Sequence, residues 1–149
     1  MESSIRLLNS LPPAFEMLSQ ANEREGFHFL KRLKQEFVSG VNCFDKEGEI
    51  LCGVYQNEQL IALEGINTWL YQDNSVGRLR RFYVLPDYRK QGIGRLLLTH
   101  LENAASSHFE TLYLYTDTVS AAQFYQACGY EACDEAEANF KKVFKKQPR

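Results

Sequence analysis

The run Val84-Leu85-Pro86-Asp87-Tyr88-Arg89-Lys90-Gln91-Gly92-Ile93-Gly94-Arg95 limits what this chain can fold into more than any other segment. A β-rich stretch over residues 77–85 leads into it, and Pro86, with no N–H to donate, stops a central ladder there. Ile93, Leu96, Leu97, Leu101 and Ala104 follow at the spacing of one apolar helix face, ending near Ser107. A strand, a glycine turn and a helix thus come in direct succession, and the helix's apolar stripe requires a sheet to lie on.

The turn also carries chemistry. Gly92 and Gly94 lack Cβ atoms, so they can adopt strained angles and admit a ligand to the backbone. The unpaired N–H groups of the first helical turn then point at an anion, and the helix dipole adds to the pull. Arg89, Lys90 and Arg95 are available to neutralise a diphosphate. The plain alternative is a glycine-rich turn with solvated cations. Two nucleotide-binding patterns fail on the letters: no Gly-Lys-Ser/Thr closes the loop, and Leu97 stands where a dinucleotide fingerprint needs a third small residue.

The remaining segments read as mixed α/β. Residues 5–8 suit a short first strand, and Leu11-Pro12-Pro13 leads into a helix, since proline is tolerated in a first turn. Residues 27–38 repeat Phe27, Leu30, Leu33, Lys34 and Phe37 at helical spacing, with Gly40 at the end. Residues 49–55 and 60–70 form a hairpin across Gln56-Asn57-Glu58-Gln59. Residues 111–116 are bulky on both faces, as a central strand covered on both sides would be. A short helix over 120–128, closed by Gly129, precedes last strands at 130–133 and 139–145.

With 149 residues and no repeat or linker, residues 1–149 read as a single domain large enough for a core. A net charge of -2 gives no global attraction to nucleic acid. No apolar run approaches the roughly 20 residues of a membrane helix, and Met1-Glu2-Ser3-Ser4 lacks the order of a signal peptide, so a cytoplasmic location is expected. Cys43, Cys52, Cys128 and Cys133 form no C-x-x-C pair, and His28, His100 and His108 are scattered. No metal site is expected, and the cysteines read as small buried apolar residues rather than nucleophiles.

The strand, Arg89-x-x-Gly92-x-Gly94 and the helix after it resemble the cofactor-binding motif of the GNAT superfamily of N-acetyltransferases. Downstream, Ala121-x-x-Phe124-Tyr125-x-x-x-Gly129-Tyr130 resembles that superfamily's second motif, so the likeness covers about residues 78–133. Family members often carry Asn, facing the cofactor, where this chain has Thr118. The resemblance implies a central mixed sheet of about six to seven strands flanked by about four helices. It implies acetyl-coenzyme A as cosubstrate, held by the backbone of Phe82, Tyr83 and Val84, by Arg89, Lys90, Gln91, Gly92, Ile93, Gly94 and Arg95, and beside Thr118 and Tyr125. Direct attack by a bound primary amine follows, with Tyr125 as general acid and no metal.

The acceptor is left open between a small molecule, a peptide and a protein lysine or N-terminus, and a non-catalytic acyl-coenzyme A sensor is the alternative of a different class. Nucleic acid and membrane are not expected partners, and either a monomer or a homodimer fits. For the base, Glu64 is the nominee, against a solvated strand carboxylate. Arg78 and Arg80 share a strand face by alternation and Arg81 takes the other. They fit either a carboxylate-bearing acceptor or pairing with acids such as Glu64 or Asp117. His100 reads as core.

Overall fold

The computed structural model describes residues 2–71, 74–135 and 137–144. Its elements are β1 (Ser4–Leu7), α1 (Phe15–Arg24), α2 (Phe29–Ser39), β2 (Ile50–Gln56), β3 (Gln59–Tyr71), β4 (Asn74–Val84), α3 (Ile93–Ala105), β5 (Thr111–Leu114), α4 (Val119–Ala127), β6 (Glu131–Glu135) and β7 (Ala138–Val143). The seven strands form one sheet in the order β1-β2-β3-β4-β5-β7-β6. All neighbours are antiparallel except β4 and β5. Mixed α/β architecture with seven strands and four helices agrees with the sequence reading. Met1 and Lys145, the outer limits of the expected start and last strand, lie outside the described residues.

Local sequence explains most of the boundaries. Asn57 and Glu58 both take left-handed angles, with φ of 50° and 64°, so β2 and β3 are joined by a two-residue turn whose twist matches theirs. Thr118 caps α4, its hydroxyl accepting from the Ala121 N–H at 3.3 Å. Parallel strands cannot be joined by a tight turn, and here the glycine loop and α3 make the crossover from β4 to β5.

Neighbouring residues of β4 show which helices cover which face. Phe82 stacks on Phe124 of α4, with centroids 5.2 Å apart, while Tyr83 meets Phe29 of α2 edge-on. Successive side chains of a strand point to opposite faces, so α3 and α4 cover one face and α1 and α2 the other. Leu97, Leu98 and Leu101 of α3 and Leu18, Leu30 and Leu33 of the first two helices are fully buried against it.

The buried stripe of α3 is Ile93, Leu97, Leu98, Leu101 and Ala105. It is rotated from the expected face, leaving Leu96 45% exposed and His100 exposed rather than in the core. The periodicity of three leucines in a row, 96 to 98, does not say which pair faces the sheet; packing against β2 and β3 does. β5 is central, as expected, but covered fully on one side only: Leu112 and Leu114 are buried, Tyr113 is half-buried and Tyr115 is exposed. Of the cysteines only Cys52 is buried, and all four are free thiols.

Candidate active site

Two irregularities in β4 shape the site. Its pairing with β3 shifts from Leu63↔Tyr83 to Gly65↔Arg80, so Arg81 and Phe82 together oppose Glu64. Such a bulge leaves one residue outside the ladder and bends the strand. Arg81 carries the strain, with φ at +66°, and a 2.9 Å ion pair to Glu36 of α2 holds it there. The expectation that Arg81 faces away from Arg80 fails for this reason: the bulge breaks the alternation, and Arg81 reaches the α2 side. The second irregularity is that β4 and β5 pair at Gly77↔Leu112 and Arg78↔Tyr113 only. Beyond those positions the parallel strands part and open a slot beside Phe82, Tyr83 and Val84.

Asn139 of β7 continues the pairing of the chain just past β5. Its side chain accepts from the Thr116 N–H at 3.1 Å and donates to the Thr116 carbonyl at 2.7 Å, extending β5 with an amide in place of a strand. Thr116 also places its hydroxyl 3.4 Å from that of Thr118. The Thr118 hydroxyl is therefore engaged in capping α4.

Tyr125 hangs from α4 over the slot, among Phe82, Phe124 and Tyr130 at centroid distances of 5.8, 5.2 and 5.4 Å. Its hydroxyl donates to Glu64 Oε2 at 2.6 Å, and Glu64 Oε1 has no hydrogen-bond partner. Glu64 is 0% exposed and Tyr125 3%. Burial pushes the Glu64 carboxyl up to about 8, against the opposing hydrogen bond from Tyr125. Burial and the neighbouring Glu64 raise Tyr125 well above the ordinary phenol range. Neither Glu64 nor Asp117 pairs with the arginines: Arg78 meets Glu137 at 3.5 Å and Arg81 meets Glu36.

At the other end of β4 the glycine loop divides its tasks. Gly92 sits at the start of α3 with φ of +85°, and nothing lies within 4 Å of the place its Cβ would take. Gly94 has no such angle; a Cβ there would meet Phe82 Cζ at 2.9 Å and Phe124 Cζ at 3.2 Å. Gly92 thus leaves open space at the backbone, whereas the missing Cβ of Gly94 lets α3 close on the ring stack. A cleft of about 670 Å³ adjoins the loop, lined by Gln91, Gly92 and Ile93 with Tyr88 and Gln56.

The cations also divide. Arg89 is committed: it donates to both Glu25 oxygens at 3.0 and 2.6 Å and to the Val84 carbonyl at 2.9 Å. It staples the loop to α1 and the end of β4, and it holds the Glu25 carboxyl below the usual range. Arg95 donates to the Ala127 carbonyl at 3.2 Å, linking α3 to the end of α4. Lys90 is exposed and takes a left-handed φ of +62°, and among the described residues it makes no ion pair or side-chain hydrogen bond.

Sequence reasoning missed Glu25, Glu36 and Asn139. Glu25 precedes Arg89 by 64 positions and Glu36 precedes Arg81 by 45, so no local spacing announces either pair.

Gly92 leaves an open cradle at the start of α3, and β4 and β5 part beyond their two paired positions. Comparison with known proteins gives the family. The family model described as "Acetyltransferase (GNAT) domain" matches residues 47–132. The N-acetyltransferase YjcF of Bacillus subtilis (strain 168), itself uncharacterised, is 30% identical over 84 residues, a match spanning 56% of this chain and 57% of that protein. A candidate acetyltransferase from Exiguobacterium sp. 255-15 superposes with a TM-score of 0.82 at 24% identity, over 96% of this chain and 94% of that one. The PaiA N-acetyltransferase of Thermoplasma acidophilum, solved with coenzyme A, gives 0.68 at 19% identity over 97% and 100%. At these identities the two structures attest the fold, and the family match supplies the rest: this chain belongs to the GNAT acetyltransferase family.

Proposed function

We propose that the chain is a single acetyltransferase domain that moves an acetyl group from acetyl-coenzyme A to a primary amine by direct attack in a ternary complex. The observation that carries this reading is the Tyr125 hydroxyl held at 2.6 Å by buried Glu64 beside the slot where β4 and β5 part. Gly92, Ile93 and the exposed Lys90 would receive the diphosphate, and the β4 backbone from Phe82 to Val84 would pair with the pantetheine arm. Bound there, acetyl-coenzyme A supplies an activated thioester. A backbone N–H released from the ladder at the bulge would hold the carbonyl oxygen as charge builds on it.

An amine with a lysine-like pKa of about 10.4 costs about 4 kcal/mol to keep neutral at pH 7. A thiolate of pKa about 8.5 leaves readily, so its protonation is the smaller demand. In this reading Tyr125 gives that proton and is resupplied from Glu64. As the base nominee, Glu64 can draw a proton from a bound amine only through the Tyr125 hydroxyl, because its own carboxyl has no exposure. Glu64 is then a positioning residue that sets the proton content of Tyr125.

The test is coenzyme A release on a panel of amines, with Tyr125→Phe beside the wild type. The expected result is turnover lowered roughly 100-fold with acetyl-coenzyme A affinity unchanged. Unchanged turnover in Tyr125→Phe would remove it as the acid. Tight cofactor binding with no turnover on any amine would instead favour an acyl-coenzyme A sensor.

A further inference from the structure

The geometry points to an acceptor amine that also carries a carboxylate, with Arg80 as the residue that binds it. The inference rests on the acetyl-transfer reading and names the substrate class of that site.

Three arginines crowd β4 at the bulge, and two of them have a carboxylate partner, although the Nε of each is buried without an acceptor. Arg78 lies over the Trp69 ring at 4.9 Å and pairs with Glu137, donating also to its carbonyl at 3.4 Å. Arg81, its side chain 10% exposed, pairs with Glu36. Arg80 is half-buried, and among the described residues no hydrogen bond or ion pair reaches it. The charges acting on it are Arg81 and Arg78 against Glu36 and Glu137. Both acids are already taken, which leaves the cluster one positive charge in excess. Burial, then the two arginines, lower the Arg80 guanidinium to about 10.

A half-buried cation without a counter-charge is costly, and native proteins keep such groups where a ligand supplies the missing charge. Arg80 stands opposite Gly65, two positions past the last β4–β5 pair and two before Phe82. That is roughly 7 Å along the strand from the backbone assigned to the thioester. An acceptor whose carboxylate meets the Arg80 fork therefore has its amine directed into the slot. Trp69 and Tyr113, edge-on at 5.5 Å, wall the same face with aromatic surface. The fork of a guanidinium matches the two oxygens of a carboxylate, and a lone ammonium could not replace it fully.

The experiment compares free amino acids with their α-carboxamides, by calorimetric binding in the presence of coenzyme A and by coenzyme A release. Wild type, Arg80→Gln and Arg80→Lys are measured. At least one free amino acid should bind on the order of 100-fold more tightly than its amide. Arg80→Gln should erase that preference with coenzyme A affinity unchanged, and Arg80→Lys should retain part of it. Arg80→Gln should also melt no lower than wild type without ligand, since an uncompensated charge is removed.

Equal binding of acids and amides, no binding of any amino acid, a preference that survives Arg80→Gln, or binding of phosphate monoesters instead would each overturn the inference. Carboxylate-dependent binding without turnover would uphold it while refuting the transfer chemistry.

Discussion

Replacing Glu64 by Gln should change the dependence of stability on pH in a calculable way. In the unfolded chain the carboxyl ionises near 4.5, and in the fold near 8. Below pH 4.5 both states hold the proton and burial of Glu64 carries no ionisation penalty. Between 4.5 and 8 unfolding releases a proton, so stability falls as pH rises by about 1.4 kcal/mol per pH unit. Above 8 the penalty is constant at about 5 kcal/mol, the full cost of keeping a carboxylate where water would prefer it.

Gln keeps the acceptor for the Tyr125 hydroxyl but places an amide where Oε1 has no partner, a constant cost of about 1–3 kcal/mol. That constant cancels when the variant is compared with itself across pH. Relative to wild type, Glu64→Gln should therefore gain about 4 kcal/mol between pH 5 and pH 9, measured by urea unfolding at several pH values. Burial holds the Tyr125 and Tyr130 hydroxyls well above the ordinary phenol range, so neither ionises over this interval. A stability difference flat within about 0.5 kcal/mol would mean that folded Glu64 ionises normally, and the proton-sharing role proposed for the Tyr125–Glu64 pair would fall with it.

Other perturbations probe the loop. Gly94→Ala places a Cβ 2.9 Å from Phe82 Cζ and should cost about 1–3 kcal/mol of stability, read by thermal unfolding. A Cβ at Gly92 meets no neighbour within 4 Å on an exposed loop, so Gly92→Trp should fold with a left-handed penalty of about 1–2 kcal/mol yet lose acetyl-coenzyme A binding in calorimetry. If it binds normally, the diphosphate does not sit there. Arg89→Ala releases Glu25, whose carboxyl the guanidinium holds below its ordinary value. The stability from that pair is present above the ordinary carboxylate pKa and lost as pH falls through the lowered one, so the difference from wild type should shrink in acid. Because the pair is partly exposed, an effect of about 1 kcal/mol near pH 7 is expected.

Much of the architecture was legible because its signals are local. Pro86 ends β4, glycines precede α3, and period-two and period-four patterns mark the strands and helices without reference to distant parts of the chain. The strand, glycine turn and helix start around residues 84–95 were readable for the same reason, since a helix start and a missing Cβ are properties of a few adjacent residues. Tyr125 was singled out through the family pattern around it.

Tertiary structure alone decided what each group is free to do. Arg89 and Gly94 carry structural tasks that the sequence does not announce, one tied to Glu25 and the other making room for two rings. His100 follows a helical period yet faces solvent, because the sheet selects among adjacent leucines. In the sequence Glu64 is a base nominee that could equally be a solvated strand carboxylate. Its burial, its bond to Tyr125 and its raised ionisation arise only when β3 and α4 meet across 61 positions. Desolvation and pairing depend on neighbours in space, and a sequence reports neighbours in space only where they are also neighbours along the chain.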